Sequence, residues 1–161
     1  MTQLMDGKAL SNRILDGIRE AVTAEGRQPG LAVILVGEDP ASSVYVRMKE
    51  KACGKVGFLS KKYKLPTDVP EPELVDLIHR LNRDPEIHGI LLQLPLPDHL
   101  DEKTMLNLID PAKDVDGFHP VNVGRLLVGD PEGFVPCTPR GIMELLADCG
   151  VDPKGKHAVV I

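Results

Sequence analysis

Three polar segments of this chain combine residue types and spacings that could do chemistry. In the first, Tyr45 and Lys49 are four residues apart, so on a helix they share one face. A lysine amine in that place could transfer a proton, and the tyrosine offers a ring for stacking and a hydroxyl for hydrogen bonding. Because Tyr-x-x-x-Lys also arises by chance in many helices, an exposed lysine beside a half-buried tyrosine is the alternative.

The second segment runs from Gly89 to Pro97, where an apolar stretch ends at Gln93 and a Pro-x-Pro sequence. An apolar run of this length, bounded by Gly and Pro, favours a parallel strand covered on both faces. Gln93 then lies at the carboxyl end of the strand, where open α/β sheets bind their ligands. Its amide could orient a substrate or hold Lys49, and a surface glutamine at a strand end is the alternative.

The third segment is Lys113–Pro120, which contains Asp114 and Asp116. A carboxylate in a partly apolar pocket suits a ligand that presents adjacent N–H donors, such as an aminopyrimidinone ring. A metal site at the two aspartates is less favoured, because no further acid stands at the spacing of a calcium loop. We expect no metal, and we expect His119 to be structural.

Alternating helices and strands must position these segments. Apolar periodicity and end signals predict helices over 7–25, from Ser42 or Ser43 to about 57, over 70–82, 101–109 and 122–128, and over 139–149 with Thr138 as its cap. Apolar runs predict strands over 31–36, 58–65 and 89–94, the second more polar and so nearer an edge.

This order of elements predicts an α/β fold, a three-layer α-β-α domain with a mostly parallel sheet over residues 1–150. The apolar run from His157 to Ile161 is then expected to be the first strand of a truncated Rossmann-like domain. Residues 151–161 would begin that dinucleotide-binding domain, with its remainder absent. No G-x-G-x-x-G loop occurs within 1–161, so we expect no cofactor-binding residue there.

Composition narrows the possible partners. The chain has 161 residues, 42% of them hydrophobic and 27% charged, as in ordinary soluble domains. A net charge of −5 argues against nucleic acid, and no apolar run approaches the ~18 residues of a membrane span. The start of the chain lacks the layout of a signal peptide. Cys53, Cys137 and Cys149 are odd in number and widely spaced, which favours a reducing cytosol over disulfides or zinc.

The charge is unevenly distributed. Between Arg47 and Lys64 there are seven basic residues and one acid, Glu50. Such a run could attract an anionic substrate, and a solvated helix and strand face is the alternative.

Four motifs together resemble one enzyme family. They are S-x-x-Y-x-x-x-K (42–49), G-I-L-L-Q-L-P-L-P (89–97), K-D-V-D-G-F (113–118) and P-C-T-P-x-G-I (136–142). In this order, and over essentially the whole chain, they closely resemble the bifunctional methylenetetrahydrofolate dehydrogenase/methenyltetrahydrofolate cyclohydrolases of one-carbon metabolism.

The resemblance implies NADP-dependent oxidation of 5,10-methylenetetrahydrofolate to 5,10-methenyltetrahydrofolate, then hydrolysis to 10-formyltetrahydrofolate. The NADP site would lie beyond Ile161. The resemblance also implies a cytoplasmic enzyme that binds a folate, forms a homodimer when full length, and has no nucleic-acid or membrane partner.

The resemblance assigns roles to the candidate residues. Lys49 would be the proton-transfer residue of the hydrolysis, and Gln93 would hold it in place. Tyr45 would stack on the pterin or its neighbouring ring, and Asp116 would accept hydrogen bonds from the pterin amino edge. The backbone of Leu92 and Leu94 would line the same cleft. The implied substrate contacts are Tyr45, Lys49, Leu92, Gln93, Leu94 and Asp116.

Two other classes of protein are compatible with parts of the sequence. A short-chain dehydrogenase also uses Tyr-x-x-x-Lys, but that fold needs a glycine-rich loop after its first strand, where this chain has Gly37-Glu38-Asp39-Pro40. An isolated folate-binding module without turnover would share the motifs and lack a nucleotide site.

Overall fold

Helices and strands alternate in the computed structural model, which describes residues 4–159. The strands are β1 (Gly30–Val36), β2 (Leu59–Leu65) and β3 (Gly89–Gln93). The helices are α1 (Gly7–Glu25), α2 (Pro40–Val56), α3 (Glu71–Arg83), α4 (Glu102–Asn107), α5 (Pro120–Val128) and α6 (Cys137–Asp148). The predicted succession of element types is confirmed from α1 to α6.

The three strands form one parallel sheet in the order β2-β1-β3. β1 is central because its side chains are apolar on both faces, and Ala32, Val33 and Ile34 are fully buried. β2 has the more polar sequence and lies at an edge, as predicted. Parallel neighbours need crossover connections, which α2 and α3 provide.

Each face of the sheet has its own apolar core. On one face, Ile34 and Leu92 pack with Leu74 and Ile78 of α3 and Met105 of α4. On the other face, a smaller cluster of four buried residues includes Val46 of α2. Helices therefore cover both faces, and the predicted three-layer α/β architecture is confirmed.

The start of α2 differs from the prediction. The helix begins at Pro40, and the Asp39 carboxylate caps it by accepting the Ser42 N–H at 2.6 Å. Proline suits the first helical position, because its missing N–H would have no partner there. Ser42 and Ser43, the predicted caps, lie inside the first turn, and Ser42 is buried. The hydrogen bonds from Ser42 lower the pKa of the Asp39 carboxyl.

The start of α6 is also earlier than predicted. The helix begins at Cys137 after Pro136, which provides no side-chain cap. Thr138 is therefore not the cap, and Pro139 is the third helical residue rather than the first. Proline is tolerated in the first turn because the N–H groups there have no intrahelical acceptor. Gly150, the predicted end signal, has a φ of 70° just beyond the helix.

The end of the chain differs as well. His157–Val159 pair with no strand among residues 4–159, and without a partner their backbone groups have no ladder to join. The rest of the predicted strand, Val160 and Ile161, lies outside the described residues. The division of the chain near residue 150 therefore stays a prediction. Within 4–159, no helix has the length and apolar character to cross a bilayer.

Candidate active site

The candidate residues of α2 and β3 meet at the carboxyl edge of the sheet. α2 starts just after β1, and Gln93 is the last residue of the neighbouring strand β3. Lys49 lies in the third turn of α2, and its Nζ donates a hydrogen bond to Gln93 Oε1 at 3.1 Å. Both side chains are half-buried. The lysine amine is therefore held over a strand end, at the edge where α/β sheets bind ligands.

The amide of Gln93 has one defined orientation. Its Nε2 donates to the carbonyl oxygen of Leu94 at 2.8 Å, which leaves Oε1 facing Lys49. A flipped amide would place its NH₂ group against the lysine donor and its oxygen against a carbonyl. Ser42 Oγ also donates to the Leu94 oxygen, at 3.4 Å, so the first turn of α2 is tied to the same strand end. The peptide bond between Leu94 and Pro95 is cis.

The two leucines of this segment differ in their surroundings. The Leu92 side chain is buried in the core on the α3 face, so only its backbone can face a ligand. Leu94 is half-buried and packs against the same core, while its carbonyl oxygen accepts the two hydrogen bonds described above.

Tyr45 lies one turn before Lys49 on α2. Its residue surface is 59% exposed, so the ring is accessible to a flat ligand approaching the amine. The helical spacing puts the two side chains on one face, as predicted.

Asp116 reaches this edge on the segment that follows α4. Ile90 N donates to Lys113 O at 2.7 Å, and a parallel bridge joins Ile90 to Asp114, so the segment runs beside β3. Asp116 is half-buried, and this burial raises the pKa of its carboxyl. The Lys49 ammonium opposes that rise in pKa, and the Asp114 carboxylate adds to it. Lys49 and Asp116 therefore belong to the same edge of the sheet.

Asp114 has a different environment from Asp116. It is only 2% exposed, and its Oδ2 accepts hydrogen bonds from His119 N at 2.8 Å and Asn122 Nδ2 at 2.9 Å. His119 caps α5 by accepting the Val121 N–H at 3.1 Å, which is the structural role expected of it. No cluster of potential metal ligands occurs among residues 4–159.

Two residues near Asp116 were given no role by the sequence. Cys137 Sγ donates to Val115 O at 3.7 Å, and desolvation of the sulfur, followed by the Asp116 carboxylate, raises the pKa of this thiol. Asn122 is fully buried beneath the Asp114 turn. Asn122 stands between the apolar residues Val121 and Val123 in the first turn of α5, which was a signal for it, but its partners lie too far along the chain to be inferred.

The basic run does not leave a free positive surface at β2. Lys61 pairs with Glu86 at 2.8 Å, Lys64 pairs with Glu38 at 2.8 Å, and Lys62 lies 3.9 Å from Glu50. These ion pairs offset the charge of the three lysines of β2. For these lysines the alternative of a solvated, paired face is the better description.

The described residues do not fit a dinucleotide. β1 is followed by Gly37-Glu38-Asp39-Pro40 and β3 by Leu94-Pro95. Within 4–159, no strand leads into a glycine-rich phosphate loop at the start of a helix, which is what such cofactors require.

Comparison with known proteins gives one consistent result. Residues 5–116 match the family model of the tetrahydrofolate dehydrogenase/cyclohydrolase catalytic domain. The chain is 55% identical over 162 residues to the bifunctional protein FolD of Moorella thermoacetica, an alignment that covers 99% of this chain and 58% of that protein. The chain therefore spans a little over half the length of the curated relatives that it matches.

Solved structures agree with this result. The bifunctional FolD enzyme of Campylobacter jejuni superposes with a TM-score of 0.90 at 48% identity, covering 93% of this chain and 54% of the other. The dehydrogenase-cyclohydrolase of Trypanosoma brucei, whose structure holds an NADP cofactor and an inhibitor, gives 0.88 at 38% identity over 93% and 52%. By sequence and by structure, this chain belongs to the tetrahydrofolate dehydrogenase/cyclohydrolase family.

Proposed function

We propose that this protein binds a reduced folate at the carboxyl edge of its sheet. It takes part in the oxidation of 5,10-methylenetetrahydrofolate to the 5,10-methenyl form and in the hydrolysis of that product to 10-formyltetrahydrofolate. The observation that supports this most strongly is Lys49 Nζ, held 3.1 Å from Gln93 Oε1 beside the half-buried Asp116. The family shown by the comparisons supports the identity of the substrate.

In the hydrolysis, water adds to the electrophilic methenyl carbon. The Lys49 amine accepts a proton from the water as the new C–O bond forms. The bond between that carbon and N5 then breaks, N5 takes up a proton, and the hydroxyl proton leaves as the formyl C=O forms on N10. One water is consumed and one proton is released overall. A single group that accepts and returns protons is sufficient, and Lys49 is suited to it.

The other residues bind and orient the folate. Gln93 cannot rotate freely, because its Nε2 is bonded to Leu94, so it keeps the Lys49 amine in one position. The Asp116 carboxylate has two oxygens for the adjacent N–H groups of the pterin amino edge. The exposed ring of Tyr45 stacks on the pterin or on the ring beside it.

Oxidation of the methylene group requires a hydride acceptor, and we propose NADP. The T. brucei structure with NADP bound supports this choice. The nicotinamide supplies the acceptor when bound. Because the described residues do not form a dinucleotide site, their part in this step is to bind and orient the folate.

Two further expectations belong to the same proposal. Free thiols at Cys53, Cys137 and Cys149 support a reducing, cytoplasmic environment. The homodimer is expected from the family resemblance alone, and light scattering of the purified protein tests it.

Substitution of Lys49 by methionine tests the proposal. Lys49→Met keeps a similar stem and removes the amine, so cyclohydrolase turnover should fall about 1,000-fold while tetrahydrofolate still binds. Hydrolysis is followed through the absorbance of the methenyl cation, and binding by calorimetry. Lys51→Met is the matched control, because Lys51 is an exposed residue of the same helix, and its turnover should equal that of the wild type. Unchanged turnover in Lys49→Met would refute the assignment.

A further inference from the structure

Two polar side chains are buried close to the site without facing it. Asp114 is 2% exposed and Asn122 is fully buried. Burying polar groups is unfavourable unless their hydrogen bonds are replaced, so a buried polar pair at this position needs a physical reason.

Asn122 uses both ends of its amide. Its Nδ2 donates to Pro111 O and to Asp114 Oδ2, both at 2.9 Å, while its Oδ1 accepts the Phe134 N–H at 3.3 Å. One side chain of α5 thus holds two separate segments, the one that carries Asp116 and the one that leads into α6.

The two segments also pack against each other at Gly117. The N–H of this glycine donates to Asp114 O at 3.2 Å and closes the turn that contains Asp116. Gly117 has a φ of 69°, and a Cβ there would lie 2.7 Å from Phe134 O. The turn therefore packs tightly against the 134–136 segment, and Asn122 bonds both sides of that junction.

We propose that Asn122 is a positioning residue for folate binding, acting through Asp114 and the Phe134 N–H to fix the Asp116 carboxylate. This inference rests on the proposed function, in which Asp116 binds the pterin. Without the Asn122 donor, the buried Asp114 carboxylate would lose one of its two N–H partners. The Asp114 carboxylate would then compete with Asp116 for other hydrogen-bond donors at this edge. The turn that carries Asp116 would no longer be held in a single conformation.

A double-mutant cycle on tetrahydrofolate binding tests this inference. Asn122→Ala should raise the dissociation constant of tetrahydrofolate about tenfold in the native background. In an Asp116→Ala background it should have no further effect on that constant. A residue that only stabilised the fold would change affinity equally in both backgrounds or in neither. Either of those results would overturn the proposal.

Two further variants complete the experiment. Asn82→Ala is the matched control, because Asn82 also donates to a carbonyl, Leu108 O at 2.7 Å, and accepts a backbone N–H, that of Asp110 at 2.9 Å. It should lower the melting temperature without changing folate affinity. Asn122→Ser keeps a small polar side chain and adds no charge beside the buried Asp114, so it covers the case in which the alanine variant does not fold. It should weaken binding about as much as alanine.

The outcomes separate the two proposals. Failure of the wild type to bind tetrahydrofolate, or full affinity in Asp116→Ala, would refute the proposed function and this inference together. Weakened binding in Asp116→Ala with full affinity in both Asn122 variants would refute the positioning role alone.

Discussion

The two halves of the candidate site are held in place by different forces. Lys49 and Gln93 lie on elements of the apolar core, and every buried hydrophobic residue of the described chain falls between Ala32 and Ile109. Beyond Ile109, in the part of the chain that carries Asp116, the buried side chains are Asp114 and Asn122. Hydrophobic burial is strong and non-directional, whereas a hydrogen-bonded pair fixes one arrangement. Loss of a core side chain beneath Lys49 and Gln93 should therefore cost stability, and loss of a polar side chain around Asp116 should cost affinity.

The largest difference in stability between the two halves is expected when a side chain of the apolar core is removed. Ile34 is fully buried at the centre of β1, so Ile34→Ala should lower the free energy of unfolding by about 3 kcal/mol and the melting temperature by about 10 °C. The matched control is Ile142→Ala on α6, where the isoleucine is 54% exposed and the change should stay within about 0.5 kcal/mol. Urea and thermal unfolding measure both, and equal losses in the two variants would contradict the comparison.

At Asp116, by contrast, replacing the carboxyl should raise the stability of the protein, by a smaller amount. Burial raises the pKa of its carboxyl above the ordinary 3.8. Between 3.8 and the raised pKa, the folded protein keeps a proton that the unfolded chain loses. Stability therefore falls as pH rises through that window and stays lower above it.

Asp116→Asn removes this penalty. At pH 7 the variant should melt about 2 °C higher than the wild type and bind tetrahydrofolate more weakly, and below pH 3.8 the difference in melting temperature should vanish. Thermal unfolding across a pH series measures the first effect, and calorimetry measures the second. A variant that is less stable than the wild type at pH 7 would show that the charged carboxylate is stabilised in the fold.

Much of the first half follows from the sequence. The continuous apolar runs of β1 and β3 indicate strands buried on both faces, and the rule that parallel strands end at one edge brings Gln93 toward α2. The predicted cap of α2, Ser42 or Ser43, was wrong, although both are good capping residues, because Asp39 caps the helix. Proline at position 40 decides in favour of Asp39, since it fits the first helical turn.

The second half could not be derived in the same way. Asp114 and Asp116 are two residues apart and chemically identical. The contacts that distinguish Asp114 are a bridge to Ile90 and hydrogen bonds from His119 N and Asn122 Nδ2, which the sequence does not reveal. The partners of Asn122 are 8 to 12 residues away on irregular segments, where no periodicity applies. Likewise, the ion pairs of Lys61 and Lys64 with Glu86 and Glu38 depend on contacts between distant parts of the chain.

A crystal structure of the protein with tetrahydrofolate bound tests the central claim most directly. We expect the pterin amino edge within hydrogen-bonding distance of the Asp116 carboxylate, and the N5–N10 region facing Lys49 Nζ. A cavity of about 760 Å³ beside the loop after β3 is the competing location, although Asp98, Asp101 and Glu102 in its wall would repel the folate carboxylates. Folate bound in that cavity, away from Lys49 and Asp116, would contradict the account.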